Sequence, residues 1–212
     1  MKTSDLISAL AADAGAPVTP IGPRLALALG VGALISLALF LAMIGPRPDV
    51  MHAMHTMRYD LKFLDTLAWL APSFFLCLRL ARPETGPGAI FAWLLAPIAI
   101  LLVAVAIELA VVPSALWATR LVGTNWYHCL SVIPALSIAP LAALIVALRE
   151  GAPRYPALTG ALAGAASAGV AATLYASNCP DDSPLFVVTW YPLATAIVVA
   201  AGALAGRRWL NW

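Results

Sequence analysis

The sequence predicts an all-α integral membrane protein, a bundle of six transmembrane helices with both termini cytoplasmic. Three observations carry that prediction. Of 212 residues, 62% are hydrophobic and 10% charged, where soluble domains carry roughly 25% charge; the mean hydropathy is +0.91. Six segments stay apolar over the about 17–25 residues needed to cross a hydrocarbon core of roughly 30 Å. Basic residues gather at one set of helix ends, which fixes a direction across the bilayer. The apolar runs are continuous and do not alternate, so a lipid-facing barrel is excluded.

The opening MKTSDLISALAADAGAPVTPIGPR is not a secretory signal, because acidic residues precede any apolar region and no cleavage pattern follows the first hydrophobic run. Thr3 or Ser4 can cap a short helix whose first turn holds Asp5, the favourable charge for a positive helix end. Leu6, Ile7 and Leu10 form its apolar stripe, continued by Ala14, and Gly15 and Pro17 stop it. About three turns of helix are marginal alone in water and need a surface to lie on. With Lys2 its lone early basic residue, attraction to anionic lipid is weak, which favours a protein partner docked helix-in-groove.

The spans follow at residues 25–44, 62–80, 89–111, 127–148, 156–176 and 185–205. The second is the least regular, since Asp65 sits inside it and Pro72 interrupts it, yet dropping it would place the later basic flanks on inconsistent sides. The fifth carries Gly160, Gly164, Ala168 and Ala172 at four-residue spacing, and Gly202 and Gly206 begin a similar face in the sixth. Such stripes let backbones approach closely. The chain thus divides into a cytoplasmic segment at 1–24 and a transmembrane domain at 25–212. The connections are short and punctuated by proline and glycine, which end helices, and none has room for a soluble domain.

With the N-terminus inside, the inner side receives Lys2, Arg24, Arg79, Arg82, Arg149, Arg154, Arg207 and Arg208, and the outer side Arg47, Arg58, Lys62 and Arg120. Trp209 and Trp212 beside the last arginine pair form an interfacial anchor. No polybasic tract serves nucleic acid.

This orientation gathers metal-binding residue types on the outer face. His52 and His55 lie in MHAMHTM, three apart and so on one face of any helix there, with Met51, Met54 and Met57 at the same spacing. Those methionines either suit a soft metal such as Cu(I) or float an interfacial helix on the bilayer. His128 and Cys129 follow the third loop and Cys179 lies in the fifth. Cys129 and Cys179 admit a structural disulfide, a reversible thiol sensor or soft-metal coordination with a transient heavy-metal ion. Asp65 and Glu108 lie one turn inside the outer ends of their spans, and intramembrane carboxylates are expensive unless paired, protonated or facing a polar cavity. Neither CxxC nor HExxH occurs, and no serine–histidine–acid motif appears, so an enzyme is not expected.

The stretches MKTSDLISALAAD, GPRPDV, NWYHCLSVIPALSIAPL with its REGAP end, and LYASNCPDDSPLFVVTWY together resemble, in order and spacing over the whole chain, the NrsF-like family of six-span bacterial inner-membrane anti-sigma factors acting on extracytoplasmic-function sigma factors. The resemblance implies a sensor and tether: Leu6, Ile7 and Leu10 as contacts for the sigma factor, Cys129 and Cys179 at the family's outward cysteine pair, and release under heavy-metal or oxidative stress. The His/Met loop matches no family motif. The rival reading is a small metal-ion or small-solute transporter, for which Asp65 and Glu108 are the intramembrane carboxylates on offer.

Overall fold

The computed structural model describes residues 3–13, 20–86 and 88–211. Helix α1 (Thr3–Asp13) precedes α2 (Ile21–Met43). One turn, α3 (Val50–Ala53), lies in the first loop before α4 (Met57–Leu80). A 3₁₀ stretch at Ala89–Leu94 runs straight into α5 (Leu95–Val111), and a 3₁₀ turn and α6 (Trp117–Val122) fill the third loop. Helices α7 (Trp126–Leu148), α8 (Pro156–Ala176) and α9 (Pro184–Trp209) complete the order. Six of these helical segments are long and apolar enough to cross a membrane, and the chain is a multi-pass inner-membrane protein.

Helix α8 forms the axis of the bundle, packed mainly against α9, α4 and α7. Its composition explains this: a span of alanine and glycine has little side chain to offer lipid but lets neighbours come close. A Cβ added to Gly160 would overlap the Gly202 carbonyl and the Gly206 backbone, and one on Gly164 would lie 2.6 Å from the Val198 carbonyl oxygen. The small-residue stripes of the fifth and sixth spans therefore face each other within one chain.

The second crossing is continuous despite Pro72. Its polar residues Lys62, Asp65, Thr66 and Ser73 are buried against the bundle while Leu64, Leu67 and Phe75 face outward, so this span is polar inside and apolar toward lipid. The Thr173 and Thr66 hydroxyls meet at 3.0 Å between α8 and α4.

Helix α2 packs on α7 where Gly32 faces Pro140 backbone to backbone. Proline has no N–H, so Pro140 leaves the carbonyl four residues earlier without its helical donor. Ser36 of α2 supplies the missing bond, its hydroxyl donating to the Leu136 carbonyl at 2.6 Å. The apparent defect in α7 thus becomes the fastening between two spans.

Several boundaries differ from the sequence expectation. Helix α4 begins five residues earlier than residue 62, so Asp65 lies two turns inside it rather than one. His52 is in α3, but His55 falls beyond its end, so the two histidines do not share a helix face; with Asp49 at the N-cap, α3 lasts a single turn. The backbone at Leu6 and Leu10 is helical, but their side chains lie outside the described residues, as do Lys2, Ala14, Gly15, Pro17 and Trp212.

Candidate functional site

The loop between α8 and α9, read in the sequence as SNCPDDSP, is where the far ends of most spans are tied together. It begins where Ser177 ends α8 and Asn178 and Cys179 turn back, their amides still donating to the Tyr175 carbonyl. The Asn178 side chain donates to the Gly45 carbonyl at 2.8 Å, and the Arg47 amide donates to the Ser177 carbonyl at 3.0 Å. Gly45 follows α2 with φ +70°, the left-handed conformation that glycine adopts without Cβ strain at a helix end.

Asp182 and Lys62 form the centre. Lys62 is fully buried; its ammonium donates to the Cys179 carbonyl at 2.8 Å and pairs with Asp182 at 2.5 Å. Arg47 reaches the other Asp182 oxygen at 2.8 Å and also holds Asp49 at 2.7 Å. The hydrogen bond from Arg47 holds the exposed Asp49 carboxyl below the usual carboxylate range, at about 2. A buried ammonium is tolerable only when a counter-charge and further hydrogen bonds replace its lost water, and this loop supplies both.

Asp181 points the other way. It accepts from the backbone N–H groups of Thr124 and Asn125 at 3.0 and 2.8 Å, fixing the start of α7, whose own N-cap side chain makes no capping bond. Gly123, just before, has φ +60° and ψ −164°, a region restricted to glycine, and a Cβ there would collide with Phe186. Replacing Asp181 with alanine is expected to cost about 0.5–2 kcal/mol, the range for losing a helix cap, read as a lowered unfolding temperature in detergent micelles.

Glu108, at the end of α5, is 3% exposed and held by Arg58 and Arg120, each at 2.6 Å, with the Ser183 hydroxyl donating at 3.2 Å. Its burial is therefore paired, and it is not a carboxylate waiting for a cargo ion. Asp65 differs: it is buried and its Oδ1 has no hydrogen-bond partner among the described residues. Arg47, Arg58, Lys62 and Arg120, the described Lys and Arg residues at this end of the bundle, each have an acidic partner.

The two expected cysteines lie at this end of the bundle, with their side chains in its core. Cys129 and Cys179 are both fully buried, in one cluster with Tyr175, Phe186 and Tyr191, and they are free thiols, as is Cys77 in the other half of the core. Cys129 is in the first turn of α7 on its inward side, whereas His128, the next residue back, is exposed. Burial pushes the Cys179 thiol above its ordinary range and outweighs the opposing pull of Lys62, which favours a thiol over a reactive thiolate. The sequence located both cysteines near this end but missed their burial, because nothing local signals that SNCPDDSP folds inward onto Lys62.

No group of three or more His, Cys, Asp or Glu able to hold a metal occurs among the described residues. His52 and His55 are exposed, as are Met51, Met54 and Met57, an arrangement that suits a loop resting on the bilayer edge. Lys62 and Asp182, which organise the site, were not among the sequence candidates. The signal available was a lysine inside a membrane crossing, which demands a counter-charge somewhere in the chain.

A bundle of six membrane-crossing helices with a polar clamp at one end and a short helix ahead of its first span defines a multi-pass membrane protein with little chain outside the bundle. The chain belongs to the NrsF family: the family model described as negative regulator of sigma F matches residues 10–212. It is 35% identical over 216 residues to the anti-sigma-F factor NrsF of Caulobacter vibrioides, and 34% identical over 213 residues to a probable anti-sigma-F factor NrsF of Azospira oryzae, both chains being covered in full in each case. No solved structure matches the chain. Homology supports a general anti-sigma-factor role, and the family's members are regulatory and non-catalytic. The family match begins at residue 10, so Leu6 and Ile7 precede it.

Proposed function

We propose that this protein holds an extracytoplasmic-function sigma factor at the cytoplasmic face and releases it when heavy-metal or oxidative stress acts on Cys129 and Cys179. The observation that carries this reading is the full-length similarity to anti-sigma-F factors. The helix ahead of the first span adds to it: Ile7 is exposed, and Leu6 and Leu10 share its stripe by sequence position. In this reading both termini are cytoplasmic. Charge supports that orientation, since the α1 end of the bundle carries seven described arginines and the clamp end four described Lys and Arg residues, and basic residues favour the inner side.

The signal has a physical route. Thiols this buried meet an oxidant or a soft metal only when the loop at 177–183 opens. A peroxide would then join the two sulfurs, taking two electrons and leaving with the two thiol protons as water; a soft metal ion would instead displace both protons. Either event moves Cys179, whose carbonyl binds Lys62, and Cys129, which begins α7. At its other end α7 leads to Glu150, which pairs with Arg24 at the start of α2, directly after the N-terminal segment. Inverting a 99:1 preference for the holding state takes roughly 5.5 kcal/mol of differential binding. The transporter reading finds less support, because Glu108 is already neutralised by two arginines.

Affinity capture of the full chain in mild detergent tests the partner. Wild type is expected to retain a sigma factor, and Leu6→Asp with Leu10→Asp to weaken retention by roughly thirtyfold or more, as for loss of an apolar hot spot; undiminished capture would refute docking through this helix. In cells, replacing both Cys129 and Cys179 with serine should abolish induction by metal or peroxide, and a normal induced response would refute sensing at these residues.

A further inference from the structure

At the end of the bundle opposite the clamp, α7 and α9 border an apolar groove of about 700 Å³. Ile138 and Ile145 of α7 and Leu204 of α9 form its walls, and Arg149, Arg208 and Trp209 stand at its mouth. A hydrocarbon-lined cleft on a membrane-spanning surface is open to lipid tails. What distinguishes this one is the charge above it. Glu150, next to Arg149, is taken by Arg24, and neither Arg149 nor Arg208 has an ion pair among the described residues. Trp209 is 56% exposed, as suits an indole at headgroup depth.

A second groove, of about 640 Å³ between α4 and α5, provides the contrast. Arg58 stands at its mouth too, but there Glu108 engages it at 2.6 Å. Its charge is spent, whereas Arg149 and Arg208 at the α7–α9 groove have no acidic partner among the described residues.

We infer that the α7–α9 groove seats an acidic phospholipid, its acyl chain between the two helices and its phosphate against Arg149 and Arg208. The groove supplies the two elements such a lipid requires: an apolar slot between the helices and two guanidinium groups at its mouth with no ion pair among the described residues. Basic clefts between spans recognise acidic headgroups in this way, and a guanidinium can engage a phosphate with two parallel bonds. In the orientation proposed above the seat lies in the inner leaflet, but the inference depends only on the groove and its charges, so it stands or falls separately from sigma-factor binding.

Native mass spectrometry of the full chain, released from micelles doped equally with phosphatidylglycerol and phosphatidylcholine, tests it. Wild type is expected to retain phosphatidylglycerol preferentially. With each basic residue near an acidic lipid contributing about fivefold, Arg149→Gln with Arg208→Gln should cut that preference by roughly twenty-fivefold. Arg149→Lys with Arg208→Lys should keep most of it, and Arg82→Gln, at the same end of the bundle but outside the groove, should leave it unchanged. Equal retention of the two lipids by wild type, or an equal loss of preference in Arg82→Gln, would overturn the assignment. Efficient crosslinking of Ile138→Cys to a second copy in phosphatidylglycerol membranes would overturn it as well, since the groove would then be a contact between chains.

Discussion

Asp182→Ala should be among the most damaging single substitutions in this protein, costing about 3–5 kcal/mol, the range for stranding a buried charge by deleting its partner. Lys62 has no exposed surface, and without Asp182 its ammonium keeps the Cys179 carbonyl and the Tyr59 ring, 5.6 Å from its centroid, but no counter-charge among the described residues. Arg47 loses a partner at the same time but retains Asp49. The reverse deletion should be much milder. Lys62→Met fills a similar volume, removes the desolvated charge and leaves Asp182 paired with Arg47, so a change below about 1.5 kcal/mol is expected for a near-isosteric apolar replacement. Adding Lys62→Met to Asp182→Ala should then recover much of the loss. Thermal unfolding of the four proteins in micelles measures the cycle. Equal destabilisation by the two single substitutions would show that Lys62 is not held by Asp182 as described. Because the same contact fixes Cys179, Asp182→Ala should also raise labelling of Cys179 by a membrane-impermeant maleimide.

Gly160→Ala should also be severe, although it adds one methyl group. The new Cβ would lie against the Gly202 carbonyl and the Gly206 backbone, and backbone cannot step aside as a side-chain tip can. Overpacking a core typically costs about 1–3 kcal/mol, occasionally more, and here relief requires α8 and α9 to separate along their whole contact. Loss at or above the top of that range is expected, seen as a fall in folded protein recovered from membranes. Gly30→Ala is the control: nothing lies within 4 Å of a Cβ at Gly30, and alanine is the better helix former by about 0.8–1.0 kcal/mol, so this change should be neutral or stabilising. If Gly160→Ala behaved like Gly30→Ala, the close α8–α9 approach would be wrong.

The small-residue stripe that makes Gly160 sensitive was legible in the sequence, as were the six spans, the helix before them and the clustering of both cysteines near one end. The histidine and methionine loop shows the converse. Its spacing was regular, but α3 stops after Ala53, so periodicity counted across the loop did not correspond to one helix face. Glu108 was recognisable as a costly group, but its two arginines come from α4 and α6, and only the fold shows that both are spent on it.

What the sequence determined by itself is which segments enter the bilayer, because transfer into hydrocarbon is a nearly additive property of about twenty consecutive residues and needs no knowledge of neighbours. Tertiary structure alone decided which polar groups inside that slab are matched. Lys62 meets the carbonyl of a residue 117 positions away, and Ser36 repairs a carbonyl orphaned by a proline in another span, 100 positions away. A charge or an unpaired carbonyl in lipid states only that a partner must exist, and three-dimensional packing selects which residue that partner is.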